Sequence, residues 1–429
     1  MTKSEAEDFV YKSYLKAAKY QDYNQTDSEK RHPGLTKKLI RKKTGSPSVV
    51  VTGSKGKGSV ANMISQILQT KYKVGLMTSP HITDFCERFK INGKSISDED
   101  FIKYMSLIQP EIEKIDCKVP ENICVSPMGI QTILALEYFN SSQTDFNIFE
   151  CGKGAKFDDV NNVLHQYAVI NSIFLEHTRE LGGTLEAIAQ DKAHVITGEQ
   201  KCVFTAQQTD SVLTVIKERA EKLKVPLKIY GRDFSAKNIC FTNRGMTFDV
   251  DIGGQIYKNI SLPLLGIHQA KNCALAMALC KEVLGNFDFE AVRVKLSELN
   301  YPGRMEIISK EPLIILDACI NSASCENVKK SLKYLNINKI TCIIGIPDDK
   351  DFAGVIREMK DLSEKIILTK SNNPHYIFTE KQCDKMAEEG IETVWTNSVE
   401  EAIEKAKKTM LPLVILGTTS VISDVKLFY

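Results

Sequence analysis

The segment Gly53-Ser54-Lys55-Gly56-Lys57-Gly58-Ser59 offers the clearest chemistry in the chain. It follows a β-branched run at 47–52 and precedes Val60, Met63, Ile64, Ile67 and Leu68, apolar at helical spacing. A strand running into a glycine-rich turn that opens a helix is a phosphate cradle. Backbone N–H groups close on phosphate oxygens there, and the helix N-terminus adds partial positive charge. Gly53, Gly56 and Gly58 would permit the close approach. Lys57 would neutralise the terminal phosphates, and Ser59 would offer its hydroxyl to Mg²⁺. The spacing is not the common G-x-x-x-x-G-K-[ST]. Val51 stands where the first glycine would fall, and Gly58 separates the lysine from the serine.

Three further side chains invite a chemical reading. Glu150 ends an apolar run at 146–150, a common place for a working carboxylate in an open α/β sheet. His177 is isolated, and an isolated histidine is more often structural than a ligand. Lys192 lies in a helical pattern whose apolar face is Leu185, Ile188, Ala189 and Ile196. Taken alone, it reads as an exposed helix lysine.

The elements that must position these groups alternate. A helix is expected at 5–20, with a polar, basic, irregular or partly helical stretch at 21–43. Strands are expected at 47–52, 73–77, 146–150, 168–174 and 202–205, and helices at 60–70, 128–139 and 185–196. Such alternation implies a mostly parallel sheet covered by helices. Residues 232–262 change character. Alternating runs around Asn243-Arg244-Gly245 and Gly253-Gly254 predict an antiparallel hairpin region. A helix returns at 268–284, and Tyr301-Pro302-Gly303 reads as a linker. Beyond it, strands at 313–316, 339–345, 365–369, 393–395 and 413–416 alternate with helices near 323–335, 352–361, 379–388 and 398–408. That is a second, smaller doubly wound unit. The expected fold class is α/β, with an N-terminal phosphate-loop domain over 1–298 and a Rossmann-like domain over 299–429.

Composition narrows the field. At 429 residues, two or three domains fit. The formal net charge is 56 − 54 = +2, which argues against a polybasic nucleic-acid coat but leaves room for a local anion site. The chain is 43% hydrophobic, enough for real cores and unlike a disordered segment. Its 12 cysteines are scattered and none pair as C-x-x-C. Reduced, buried thiols are expected, with neither a disulfide frame nor a zinc cluster. The start Met1-Thr2-Lys3-Ser4-Glu5-Ala6-Glu7-Asp8 places acids where an export signal would be basic and then apolar, so none is expected, and no apolar run has membrane-spanning length. A cytoplasmic monomer acting on small molecules is expected, with no nucleic acid or membrane partner.

The loop resembles the G-T-N-G-K-G-S loop of the folylpolyglutamate synthase and dihydrofolate synthase branch of the Mur ligase superfamily. More matches follow in chain order. Thr78-Ser79-Pro80-His81 and Glu87-Arg88-Phe89-Lys90-Ile91-Asn92-Gly93 resemble T-S-P-H … E-R-I-x-I-N-G. The stretch 150–158 resembles E-V-G-L-G-G-R-L-D. Leu175-Glu176-His177-Thr178 resembles L-D-H-T, 184–193 resembles T-L-E-x-I-A-x-x-K-A, and 262–272 resembles L-P-L-L-G-x-H-Q-x-x-N. Pro302-Gly303-Arg304, Asp317 with Asn321, and Asp349-Lys350-Asp351 complete the series, over roughly residues 50–350. Each match is weak alone, but the ordered set is specific.

The resemblance implies a Mur-ligase-like central domain and ATP-dependent amide formation. A carboxylate takes the γ-phosphoryl group of ATP, an amine attacks the acyl phosphate, and phosphate leaves. It implies catalytic Lys57, Glu150, His177 and Lys192. Ser59, Ser79, Glu150 and His177 would surround Mg²⁺, and Asn272, Arg304 and Asp317 would close on the nucleotide. It also places Lys192 where the family carries a carbamylated lysine, a modification that requires a neutral amine and is helped by burial or cationic neighbours. The expected substrates are ATP, an amino acid and a folate-like acceptor.

Several positions depart from that pattern. D-G-A-H-N-P is Asp317-Ala318-Cys319-Ile320-Asn321-Ser322, so the histidine is Ile320. The loop asparagine is Lys55, an added cation. An F-E pair aligns with Met128-Gly129, which removes a carboxylate, and G-G-R reads Gly154-Ala155-Lys156. These changes cluster at the expected site and bear on the substrate more than on the fold. A folate-type glutamate ligase is therefore set beside a divergent ligase for another carboxylate and amine, and a nucleotide-binding protein without turnover. The folate reading expects an open pterin pocket between the 79–92 loop and residues 126–129.

Overall fold

The computed structural model describes residues 1–20, 25, 30–242, 245–373 and 376–429. Two β/α layers and a small antiparallel sheet make up the fold. In the first layer are Ser48–Thr52 (β1), Val74–Met77 (β2), Phe89–Ile91 (β3), Lys94–Ser95 (β4), Phe146–Glu150 (β5), Tyr167–Ile170 (β6), Cys202–Thr205 (β7) and Leu227–Ile229 (β8). Their order is β4-β3-β2-β5-β1-β6-β7-β8, parallel throughout except for β3 and β4. Every residue of β1 and β5 is buried, which is why both read as unbroken apolar runs: helices cover both faces. Val49 and Val51 pack with helices Lys57–Leu68 and Ile267–Leu284. Val50 and Phe149 pack with helices Asp98–Asp116 and Pro127–Ser141 on the opposite face.

The region expected as a hairpin is a three-stranded antiparallel sheet of Phe234–Thr242 (β9), Gly245–Ile252 (β10) and Gln255–Leu262 (β11). Residues 243 and 244 of its expected turn lie outside the described residues. The last layer holds Glu306–Lys310 (β12), Leu313–Asp317 (β13), Ile340–Gly345 (β14), Ser363–Leu368 (β15), Val394–Trp395 (β16) and Leu413–Gly417 (β17). Their order is β12-β13-β17-β14-β15-β16, with only β12 antiparallel.

Some elements differ from their sequence reading. The strand expected at 168–174 is regular only to Ile170; Asn171 still donates its N–H to the Thr52 carbonyl at 2.8 Å and lines a pocket. The helix expected over 185–196 is α-helical over Leu185–Lys192 and tightens into a 3₁₀ turn at Ala193–Val195. Helix Asp98–Asp116 went unread because Pro110 interrupts its pattern. Its buried residues Phe101, Tyr104, Met105, Ile108 and Ile112 nonetheless keep helical spacing. Within the basic stretch 21–43, Gly34–Lys43 is a helix. Residues 21–24 and 26–29 lie outside the described set.

Candidate active site

The carboxyl edge of the first sheet assembles the site. β1 lies between β5 and β6, with Val51 opposite Glu150 and Thr52 opposite Ile170. The loop after β1, Glu150 at the end of β5, and Asn171 after β6 therefore emerge side by side. Gly56 takes a left-handed φ of 76° to turn the chain into helix Lys57–Leu68. A Cβ there would lie 2.5 Å from Asn171 Nδ2 and 3.1 Å from Asn272 Nδ2, so the position also needs the bare backbone. Gly58 is pressed harder still. A Cβ would fall 2.1 Å from the Tyr301 hydroxyl and 3.3 Å from Glu150 Oε2.

These residues line a cavity of about 420 Å³. Gly56, Lys57, Gly58, Ser59, Ser79, Glu150 and Asn272 reach it from the first layer, and Arg304 and Asp317 from the second. Nine of the twelve expected site residues thus line one cavity. Gly53, His177 and Lys192 do not line it. Gly53 nevertheless ties the group together: its carbonyl accepts from Lys57 Nζ at 3.0 Å and from Lys192 Nζ at 2.9 Å.

Lys192 is buried, 1% exposed, which overturns its reading from periodicity alone as an exposed helix lysine. It forms an ion pair with Glu176 at 2.9 Å. Burial lowers its pKa and the nearby Lys57 charge lowers it further, against the opposing pull of Glu176. His177 sits at φ 47° on an exposed turn that starts a short helix, Thr178–Leu181.

Glu150 is almost completely buried and accepts the Ser79 N–H at 3.0 Å. Burial raises its pKa, while Lys57 opposes the shift most and Arg304 and Arg88 add to that opposition. Asp317 behaves alike: burial raises it, and Lys55 and Arg304 resist. Its Oδ2 accepts the Met305 N–H at 2.9 Å. Asn272 accepts from Asn171 Nδ2 and donates to Gln269, each at 3.1 Å.

Among the lining residues to which the sequence assigns no role, two carry titratable rings. His268 was quoted within the 262–272 motif but given no role. Its ring lines the cavity, and its Nδ1 is buried without a hydrogen-bond partner among the described residues. Burial, with Lys55, Arg304 and Lys271 nearby, lowers its pKa to about 3. Tyr301 was read only as linker. Its phenol is pushed up to about 12 by burial, and the Arg304 guanidinium lies 5.6 Å from its ring centre.

Three further positions of the family comparison have distinct surroundings, and at one of them, Gly129, the departure has a local explanation. A Cβ at Gly129 would sit 2.9 Å from Asp159 Oδ1. A buried carboxylate thus does stand there, contributed by Asp159 and held by the Ser126 hydroxyl at 2.5 Å and by Thr36. Asp351 of the charged turn caps its own helix, accepting from Gly354 N at 3.0 Å, and accepts the Ser322 N–H at 2.8 Å. Ile320 is half-buried and lines neither this cavity nor the larger one beside it.

Arg88 of the 79–92 loop is tied to Gln131, just past residues 126–129, and to His81 of its own loop. Arg88 Nη1 donates to Gln131 Oε1 at 2.8 Å, and its Nε donates to His81 Nδ1 at 2.9 Å. Larger space lies on the other side of that loop. A cavity of about 1660 Å³ is lined by helix Lys3–Ala18, by Pro80, His81, Ile82, Thr83 and Arg88, and by Asn372, Asn373, Thr419 and Ser420 of the second layer. Pro80 lines both cavities.

Comparison with known proteins gives the class first. The Mur ligase middle domain matches residues 51–280, and the Mur ligase glutamate ligase domain matches 303–416. The dihydrofolate synthase/folylpolyglutamate synthase of Bacillus subtilis (strain 168) is 30% identical over 386 residues, covering 88% of this chain and 89% of that protein. A probable bifunctional folylpolyglutamate synthase/dihydropteroate synthase of Halobacterium salinarum is 30% identical over 308 residues, and the match spans 37% of its length. The solved Mycobacterium tuberculosis folylpolyglutamate synthase complexed with ADP superposes with a TM-score of 0.87 at 23% identity, covering 97% of this chain and 98% of that one. The chain belongs to the folylpolyglutamate synthase/dihydrofolate synthase family of the Mur ligase superfamily. Among the described residues, no helix is long and apolar enough to cross a membrane.

Proposed function

We propose that this chain is an ATP-dependent, ADP-forming ligase that joins L-glutamate to a folate-type carboxylate. One observation carries the reading. The phosphate loop, a buried carboxylate and cations from both layers converge on a single 420 Å³ cavity, and Pro80 on its wall also lines a larger cleft. The names of the Bacillus and Halobacterium relatives supply the substrate class.

In this scheme residues 1–298 and 299–429 act as two domains that close on ATP. The loop N–H groups and Lys57 hold the phosphates, and Arg304 reaches them from the second domain. The acceptor carboxylate attacks the γ-phosphorus, the bond to the bridging oxygen breaks, and ADP leaves. The glutamate amine then attacks the acyl carbon, loses a proton, and releases inorganic phosphate. The residues' task is mainly electrostatic: they keep several anions together while charge shifts between them. Asn272 and Asp317 hold the nucleotide from opposite sides.

The donor set fits Mg²⁺. Ser59 and Glu150 bring hard oxygen ligands to the cavity wall, and Ser79 fixes Glu150 through its N–H. His177 would join from the rim. When bound, the ion supplies charge neutralisation at the phosphates. Lys192, its pKa lowered and its Nζ on the same carbonyl as Lys57, suits carbamylation. A carbamate there would exchange a buried cation for an anionic oxygen donor near the metal. We take the protein to be a cytoplasmic monomer.

A second reading, a ligase for a non-folate acceptor, is favoured by the Arg88–Gln131 bridge where a pterin pocket was expected. Acceptor-dependent ADP release, with Mg²⁺·ATP and L-glutamate, separates the two. Tetrahydrofolate, dihydropteroate and no acceptor are compared, and product masses are read. A glutamate-sized increase on either acceptor supports the folate reading. ATP binding without stimulation by either moves the assignment to another acceptor.

A further inference from the structure

Exposed side chains wall most of the large cleft, and Arg88 is the exception. It is 8% exposed, and it forms no ion pair among the described residues. Its Nε and Nη1 donate to neutral partners, His81 and Gln131. Its Nη2 has no partner among the described residues. The carboxylates nearest in sequence are committed elsewhere. Glu87 accepts the Ile82, Thr83 and Asp84 N–H groups at 2.8, 3.1 and 3.1 Å. Asp84 accepts the Cys86 N–H at 2.7 Å and pairs with Lys3. Glu5 and Asp8 line the cleft from the first helix, and Asp424 from the second layer, without pairing with Arg88. A buried cation without a counter-charge is costly to keep, and a ligand that brings one offsets that cost.

Two more donors gather with it around the buried Phe85 ring. The centre of that ring lies 4.8 Å from Arg88 Cζ, 5.5 Å from the His81 ring centre and 6.5 Å from the Tyr11 ring centre. Arg88, His81 and Tyr11 all line the large cleft, and none of them lines the small cavity. The hydrogen bond from Arg88 fixes the imidazole. His81 Nδ1 accepts, so the ring proton sits on Nε2. Burial and the Arg88 charge lower the His81 pKa to about 4, which keeps the ring neutral at pH 7. Nε2–H and the Tyr11 hydroxyl have no hydrogen-bond partner among the described residues. Burial works against the Arg88 charge, and Tyr11 and Glu150 favour it.

The ligand that completes this cluster accepts hydrogen bonds and carries one negative charge. A single guanidinium balances one charge, and a doubly charged phosphate would leave an excess on the Glu150 side. A carboxylate meets both conditions, with one oxygen for Nη2–H and the other for the two neutral donors.

We propose that Arg88, His81 and Tyr11 form a carboxylate-binding site in the large cleft, separate from the cavity that holds the phosphate loop. The site stands without the glutamate-ligase reading. Only the source of the carboxylate rests on that reading: the incoming amino acid or the acceptor.

The first test needs no turnover. The full chain is labelled with ¹⁵N in its histidines, and ring N–H spectra are recorded as sodium acetate is added, with sodium chloride at equal ionic strength as the control. The His81 Nε2–H signal, identified by its loss in H81F, should move saturably with acetate and not with chloride. R88K keeps the charge but loses the planar fork, and it should weaken acetate binding at least tenfold. Y11F removes only a hydroxyl from a half-buried ring, so it keeps the fold if R88K does not, and it should weaken binding about tenfold. A signal that does not move, equal movement with chloride, or unchanged acetate affinity in Y11F overturns the site.

Ligation then assigns the source. Y11F should raise KM about tenfold for either L-glutamate or the acceptor, leaving KM for the other, and the affected reactant supplies the carboxylate. Unchanged KM for both overturns a reactant as the source. Acetate binding that depends on Tyr11, in a chain that ligates no acceptor, sustains the site and overturns the ligase reading instead.

Discussion

The two cavities that share Pro80 are built on opposite principles. The small one is made of short-range constraint. Glu150, Asp317 and Ser59 are nearly inaccessible, and Gly58 is held by a neighbour that tolerates no methyl group. The large one is lined by exposed lysines, tyrosines and amides on a helix face and loop ends. Burial makes each charge in the first strongly felt, so few substitutions are neutral there. Solvent screens charges in the second, so each residue contributes a little and the wall can change gradually. On the reading proposed above, the reaction would fall to the enclosed cavity and acceptor choice to the open one.

That contrast is open to direct attack. Lys57→Ala should lower kcat on the order of 10³-fold with the circular dichroism spectrum unchanged, the scale expected for removing a preorganised charge. A wild-type-like rate would break the contrast at once. Glu150→Gln should cost about 10²-fold and raise the Mg²⁺ concentration needed for half-maximal rate. It should also abolish an acidic limb in the wild-type pH profile. Burial raises the Glu150 pKa in the metal-free chain, so the wild-type limb should lie highest at low Mg²⁺ and move down as Mg²⁺ is raised, with activity falling as the group protonates.

His268 tests burial through stability. Its pKa is about 3 in the folded chain against 6.5 for an unperturbed imidazole. The unfolded chain therefore takes up a proton that the folded chain refuses. The stability is fully present above pH 6.5 and is lost as pH falls toward 3. Urea unfolding at pH 7 and pH 5 should show His268→Gln losing about 1–2 kcal/mol less than wild type between the two. Equal losses would mean the ring is protonated in the fold. The smallest effect is expected from Ile320→His, which lies off both walls. It should change KM for glutamate by no more than about tenfold, the worth of one hydrogen bond, and leave KM for ATP alone. A larger effect would bring residue 320 into the site.

How legible was this in the chain itself? The β/α order could be read because buried parallel strands leave continuous apolar runs such as 48–52 and 146–150. Helix Asp98–Asp116 could not, because Pro110 masks a periodicity that tertiary packing sustains. The phosphate loop announced itself through glycine spacing. Lys192 did not: a lysine in an amphipathic helix reads as solvated, and only Glu176 and the Gly53 carbonyl, distant in sequence, explain its burial. His268 was within reach, since it stood in a quoted motif, but nothing local shows that its Nδ1 would be left unpaired. Asp159 filling the place of the missing Gly129 carboxylate is a contact between segments that no single-segment pattern encodes.

The closeness of the Tyr301 hydroxyl to Gly58 has a consequence for how such a chain can change over generations. The loop and the linker are written far apart in the sequence, yet they share one small volume. A substitution that enlarges residue 58 is tolerable only with a smaller residue at 301, and a bulkier residue at 301 finds no room while the loop keeps its shape. The two positions should drift as a pair, so that divergence in the joint between the layers leaves a matching trace in the nucleotide loop.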